Sequence, residues 1–400
     1  MRILALTNLY PNPIQPHRAS FNRHQFRLLG ERHPMRVIAP TLWLDELEIA
    51  RKQRLRMPHD RTVVNDGIVV DHPRYWYTPK VMRGLYGRFY LQSVKATFRR
   101  VATEFKPDIV FAPWAYPDGW AAARLAHGLG LPVVIQVHGS DIRQLDTFAA
   151  RADGTRQALM AADGVITVSE DLARRVVALG AAPEAVCTIV DGVDRTVFHP
   201  GDRAHARQLL GLDPGTRHLL FVGNLVPVKG LDVLLQACAR LEGAVRQPWR
   251  LHLVGDGRSR QALEALAQSL GLAGRVSFHG SIAHDRLPDW FRAADLFVLP
   301  SRSEGIPNVL LEASACGTPY VASAVGGIPE IAALGASVLV PPEDPQALAQ
   351  AIAGALLHAP PPPTSTPRDR HEAAADVAAF LARVHQRHRA HAPMSRRRVA

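Results

Sequence analysis

Residues 296–331 constrain this chain more than any other stretch of comparable length. Four apolar residues, Leu296–Leu299, open it with the length and character of a buried strand. A loop with Ser301, Ser303, Glu304 and Gly305 follows. Pro307 suits the first position of a helix, where a missing N–H costs no hydrogen bond. The helix is expected over Asn308–Cys316, ending at Gly317, and Thr318-Pro319 leads into a second apolar strand, Tyr320–Ser323. Gly326-Gly327 then turns the chain toward another helix start near Pro329. Strand, helix and strand in this order make a parallel sheet, with a helix N-terminus beyond the carboxyl end of a strand.

Free N–H groups and the helix dipole make such a terminus attractive to anions. Glu304 stands at its mouth, and Glu312 lies in the second helical turn, roughly 7 Å further along at 1.5 Å per residue. An anion held at the mouth has one carboxylate beside it and one along the helix flank. A nucleotide diphosphate sugar matches that layout, with sugar hydroxyls on one side of the diphosphate and ribose hydroxyls on the other. Carboxylates accept hydrogen bonds from hydroxyls, so Glu304 reads as the sugar acceptor and Glu312 as the ribose acceptor. On spacing alone the plainer reading, a solvated loop carboxylate and a helix-surface one, is the stronger.

The wording of the stretch changes that balance. Glu304-x7-Glu312 enclosing Gly305, Ile306, Pro307 and Asn308, followed by Cys316-Gly317-Thr318-Pro319 and Gly326-Gly327-Ile328-Pro329-Glu330, resembles the donor-site signature of glycosyltransferase family 4. The resemblance implies an α/β GT-B fold: two Rossmann-like, doubly wound domains facing a central cleft. It implies a retaining, metal-independent transfer from a UDP- or GDP-linked sugar, without a cofactor. The acceptor it suggests is a glycan or a polyprenyl-linked glycan in polysaccharide biosynthesis. Transfer would then take place in the cytoplasm, on the inner face of the cell membrane.

Length and charge agree with two domains. Four hundred residues are long for one core. No apolar run approaches the twenty residues of a membrane span, and the opening apolar run is too short for a signal peptide. Cys187, Cys238 and Cys316 lack metal-ligand spacing and read as small core residues of a reducing compartment. The net charge of +11 is uneven: +7 over residues 1–199, −1 over 200–367 and +5 from 368 on. A basic first half suggests an anionic partner, and no nucleic-acid module is present, which leaves a membrane surface or a phosphorylated acceptor. Expected boundaries are 1–199 for an acceptor domain, 200–359 for a donor domain, and 360–400 for a proline-rich linker, a return helix and a basic tail.

In the first half, Arg2–Leu6 reads as a strand and Asn22–Arg32 as a helix, joined by a loop with His17 and Arg18. Where the family usually has glycine, this loop has Ala19-Ser20-Phe21. His17, Arg18, Arg23 and, through side-chain contacts, His24 are the expected acceptor-side substitutes. Residues 45–61 read as an irregular surface excursion, and Asn65-Asp66-Gly67 as a hairpin turn. From Lys80 to Lys106, cations alternate with Met82, Tyr86, Tyr90, Val94 and Phe98. That pattern fits a helix on an anionic membrane or a core helix with a charged outer face. Strand Pro132–Val137 runs into His138-Gly139-Ser140-Asp141, a familiar family sequence at the cleft edge. There His138 is expected to hydrogen-bond the donor sugar or reach the reacting phosphate. Asp141 is expected on the acceptor side, orienting the loop or capping the next helix.

In the second half, strand His218–Val222 ends in Gly223-Asn224, followed by Lys229-Gly230 and a helix. Strand, glycine, cation, glycine and helix N-terminus describe a loop that faces phosphate. Lys229 would hold the diphosphate as a point charge. The family usually has Arg where this chain has Asn224, and Arg258, after Gly255-Asp256-Gly257, is the candidate substitute cation. The missing charge at Asn224 keeps open a non-catalytic GT-B partner protein at the membrane. A sugar-nucleotide epimerase is the other alternative, separable because it changes the donor without an acceptor.

Overall fold

The computed structural model describes the whole chain except residues 17, 78–81, 144, 146–148, 242, 244, 335, 359–364 and 392–400. It divides into two compact units: Met1–Val190 together with the chain from His371 onward, and Asp191–Arg370.

The first unit is built on an eight-stranded sheet. In spatial order its strands are Val186–Thr188, Gly164–Thr167, Val133–Val137, Ile109–Ala112, Ile3–Leu6, Met35–Ile38, Ile68–Asp71 and Thr62–Asn65. All neighbours are parallel except the last pair, which is the antiparallel hairpin expected around Asp66-Gly67. The central strands are buried on both faces, as helix-covered parallel strands must be.

The basic, aromatic segment forms the helix Tyr86–Phe105, and its apolar side faces the core. Tyr90, Val94, Phe98 and Val101 lie on one stripe and are wholly buried against Leu4, Val110 and Ala122. This is the core helix with a charged outer face that the pattern fits. Residues 45–61 depart from expectation, because Trp43–Gln53 is helical. Asp45 and Glu46 sit in its first turn and Arg51 and Lys52 in its last, so the charges that suggested irregularity complement the helix dipole.

The second unit carries a six-stranded, all-parallel sheet. Its spatial order is Val276–Gly280, Trp249–Val254, Arg217–Val222, Leu296–Leu299, Tyr320–Ser323 and Ser337–Val340. The strand order reverses between Arg217–Val222 and Leu296–Leu299. Ligands of open α/β sheets bind beyond the strand ends at such a reversal.

The expected boundary after residue 199 moves to Val190/Asp191, because Val193 and Phe198 are buried in the second unit. The return helix, Arg370–His391, is not a separate tail. Its stripe of Val377, Phe380, Leu381 and Val384 completes a core of the first unit with Ile109, Val134 and Ile166. Gly164 allows the close approach, since a Cβ there would lie 2.8 Å from both Phe380 and Val384. The proline run of the linker and Arg396-Arg397-Arg398 lie outside the described residues.

Candidate functional site

In the second unit, two loops meet at the strand reversal. The first follows Val222 and runs from Gly223 to Gly230; the second follows Leu299. Close backbone packing fixes the first loop. A Cβ on Gly230 would lie 2.1 Å from the carbonyl oxygen of Pro300, and one on Gly255 would lie 1.9 Å from that of Gly223. Both glycines have positive φ, 64° and 131°, so a side chain is excluded by conformation as well as by space.

This packing brings together two residues separated by 75 positions. Lys229 Nζ donates to Glu304 Oε1 at 2.6 Å, and Ser301 Oγ donates to the same oxygen at 2.6 Å. The other oxygen of Glu304 takes no hydrogen bond among the described residues. Arg302 fastens the two loops. Its backbone N–H donates to Val228 at 2.8 Å, and its guanidinium grips Asp232, Glu343 and the carbonyl of Pro227.

Gly305, Ile306 and Pro307 are buried behind this pair, and exposed Asn308 starts the helix Asn308–Ala315. Pro307 has extended ψ and stands one place earlier than expected, capping the helix rather than opening it. Glu312 is 7% exposed. Its Oε1 accepts from His284 Nε2 at 2.8 Å, and its Oε2 is buried without a partner.

Asn224 is exposed. Its loop is hydrogen-bonded to the turn bearing Arg258, through Leu225 N to Asp256 O and Ser259 N to Leu225 O, both 2.9 Å. Arg258 is exposed on that turn and has no ion pair among the described residues, so a cation stands beside the neutral Asn224 loop.

The strand ends of the first unit are built differently. Asp141 is 1% exposed; its carboxylate accepts from the backbone N–H of His138 and Gly139, at 3.1 and 2.9 Å, and from that of Ala115. It holds the loop in shape, which is one of the roles expected of it. Burial pushes His138 down to about 4, so its ring is neutral near pH 7. That ring lies 5.0 Å from the ring of Phe21, and its Nε2 is unpartnered. Arg18 and Arg23 also bind structure. Arg18 donates to the Asn8 carbonyl at 3.0 Å, and Arg23 makes a two-pronged bond to Asp66 at 2.8 and 3.0 Å. His17 lies outside the described residues. Among the described residues, Arg18, Arg23 and Asp141 are thus each bonded to other groups of the first unit rather than to one another.

A different acceptor-sized feature occupies these strand ends. Asn8, Tyr77, Tyr86, Trp114, Tyr116, Pro117 and Arg151 line a cavity of about 330 Å³. Tyr77 and Tyr86 pack at 4.4 Å, and Tyr86 meets Tyr116 edge-on at 5.9 Å. Two glycines make room for Tyr116: a Cβ on Gly154 would lie 2.3 Å from its ring, and one on Gly87 would lie 2.8 Å from its hydroxyl. Beneath the cavity, Asp118 accepts from Thr7 and from Asn8 N–H, and burial pushes it up to about 7. Sequence reasoning missed this cavity because its walls come from five separate segments. The one visible signal was the aromatic run Trp114–Trp120 after a strand end.

Residues 26–197 match a family model described as Glycosyltransferase Family 4, and residues 216–358 one described as Glycosyl transferases group 1. D-inositol 3-phosphate glycosyltransferase 1 of Catenulispora acidiphila is 35% identical over 305 residues, 66% of this chain and 73% of that protein. D-inositol 3-phosphate glycosyltransferase 2 of the same organism is 43% identical over 223 residues, 53% of this chain and 52% of that protein, so the match spans about half the relative's length. Among solved structures, sucrose-phosphate synthase from Thermosynechococcus elongatus superimposes with a TM-score of 0.73 at 21% identity, covering 97% of this chain and 98% of that one. At that identity the likeness establishes the fold.

Proposed function

The chain belongs to glycosyltransferase family 4, and on that premise we propose that it moves a sugar from a nucleotide diphosphate sugar onto an acceptor hydroxyl. The observation that carries this reading is the Lys229–Glu304 pair at the strand reversal of the second unit. Each member is the other's partner. A diphosphate takes Lys229, which frees Glu304 to accept from the sugar hydroxyls.

The reaction is then mainly electrostatic. The bond between the anomeric carbon and the diphosphate oxygen breaks, and Lys229 with the N–H groups at the start of the Asn308 helix stabilises the charge that develops. The acceptor oxygen bonds to the anomeric carbon on the face the diphosphate leaves. Its proton passes to a departing phosphate oxygen, so configuration is retained. The chemistry calls on no metal or cofactor. Glu304 is a hydroxyl acceptor rather than a nucleophile, and Glu312 takes the ribose. Arg258 supplies the second positive charge that Asn224 lacks. His138, with its unpartnered Nε2, contacts the sugar or the reacting phosphate.

For the acceptor we favour the aromatic cavity of the first unit. Ring faces of Tyr77 and Trp114 suit the C–H face of a sugar or polyol, and Arg151 suits a phosphate. The relatives' names specify D-inositol 3-phosphate, a polyol phosphate of that description. A glycan on a polyprenyl carrier at the inner membrane face is the second reading, favoured by the net +7 of residues 1–199. No described helix is long and apolar enough to cross a membrane.

A calorimetric screen of UDP-, GDP-, dTDP- and ADP-sugars tests the donor. Transfer assays with inositol phosphates and lipid-linked glycans, with and without chelator, test the rest. Binding followed by transfer with an unchanged anomer is expected. A folded protein that binds no donor is a non-catalytic partner, and donor conversion without acceptor marks an epimerase.

A further inference from the structure

Glu312, the proposed ribose acceptor, is closed on both sides. His284 covers one oxygen at 2.8 Å, and the protein buries the other without a hydrogen bond. A carboxylate that is 7% exposed and half satisfied is costly to maintain unless a ligand completes it. His284 is the movable part of this arrangement. It opens the single turn His284–Arg286, its side chain is 49% exposed, and its ring rests edge-on against Phe198 at 5.0 Å.

We propose that His284 is a positioning residue for the nucleotide end of the donor, its Nε2–H standing where a ribose hydroxyl donates and leaving Glu312 when the donor binds. This rests on the reading of Glu312 as the ribose acceptor. Before binding, the imidazole holds the carboxylate in place; on binding, one donor replaces another.

The exchange is coupled to protons. The hydrogen bond to Glu312 raises the His284 pKa above its usual 6.5, its charge adds to the effect, and Asp285 on the same turn acts in the same direction. Arg286 follows on that turn. Cys316, one turn beyond Glu312, is pushed up to about 12 by burial and stays a neutral thiol. Phe198 brings no charge. Below the raised pKa the donor must displace an imidazolium from a carboxylate, and above it only a neutral ring. Donor binding therefore releases protons between the ordinary and the raised pKa, and affinity rises with pH across that window.

The test is calorimetric titration of the full chain with UDP-glucose and with GDP-glucose at pH 6 and pH 8, in buffers of different ionisation enthalpy. Wild type is expected to release protons and to bind about three- to tenfold more weakly at pH 6. His284→Ala should bind about three- to tenfold tighter than wild type at pH 6, with no proton release and a flat pH profile. His284→Gln, which still donates to Glu312 but does not titrate, should also be flat. Binding without proton release, or weaker binding by His284→Ala at both pH values, overturns the role of His284 and leaves the donor site standing. If no sugar of the UDP, GDP, dTDP and ADP screen binds the folded wild type, the donor reading falls and this inference with it.

Discussion

The two units place polar groups at equivalent strand ends and treat them in opposite ways. In the first, Asp118 and Asp141 are buried and His138 is half-buried with its Nε2 covered, and burial drives each toward its neutral form. Asp118 Oδ2 accepts from Thr7 and from the Asn8 N–H while its Oδ1 is buried without a partner, and the Asp141 carboxylate is held by backbone N–H groups. In the second, Lys229 with Glu304 and His284 with Glu312 are opposite charges or charge-assisted donors held in contact. A carboxylate bound to backbone cannot leave without unmaking a loop. One bound to a side-chain cation can change partners when a ligand arrives. The same topology thus supplies a rigid, largely neutral, aromatic surface in one unit and exchangeable charges in the other.

Substitutions can break this contrast. The largest expected effect is on turnover: Lys229→Ala should lower kcat about 10²–10³-fold, while thermal unfolding shows little change. A large stability loss instead would make the pair structural. Asp141→Ala should do the reverse. Leaving three loop N–H groups unsatisfied costs about 2–4 kcal/mol of stability, read from denaturant unfolding, while donor affinity per folded molecule holds.

Asp118 sharpens the comparison through pH. Its folded pKa, about 7, lies above the unfolded value near 3.9, so the folded state holds the extra proton and stability falls as pH rises from about 4 to 7. Asp118→Asn removes that loss and should be more stable than wild type by about 1–3 kcal/mol at pH 8, with little difference at pH 4. An equal difference at both pH values would show that the side chain does not titrate in this range. The smallest effect belongs to the cavity. Arg151→Ala should raise KM for a phosphorylated acceptor about tenfold and leave donor affinity unchanged, measured by initial rates and calorimetry. A rise in donor Kd would move Arg151 to the donor side.

What the sequence made legible follows from the range of the forces involved. Leu296–Leu299 and the helix beginning at Asn308 could be read because their signals are local: an apolar run, a proline and a glycine stop. Lys229 and Glu304 were each singled out from their own loops, and the structure brings them together. The helix Trp43–Gln53 was misread because none of its residues is fully buried, so it lacks the apolar periodicity that marks other helices. Arg18, Arg23 and Asp141 looked available because sequence does not show that Asn8, Asp66 and the 138–139 backbone occupy them. Asp118 went unnoticed because its burial depends on strands more than a hundred residues apart. His284 lies 28 residues from Glu312 in sequence, with no spacing rule to link them.

The return helix also bears on how the protein is made. The stripe Val377, Phe380, Leu381 and Val384 covers residues from strands that leave the ribosome more than two hundred residues earlier. Asp191–Arg370 has its own sheet and can finish folding while the chain that precedes it still exposes Ile109, Val134 and Ile166. The first unit is therefore completed only after the second has been made. During the interval the nascent first unit presents an apolar strip, which a chaperone must cover or the arriving helix must claim.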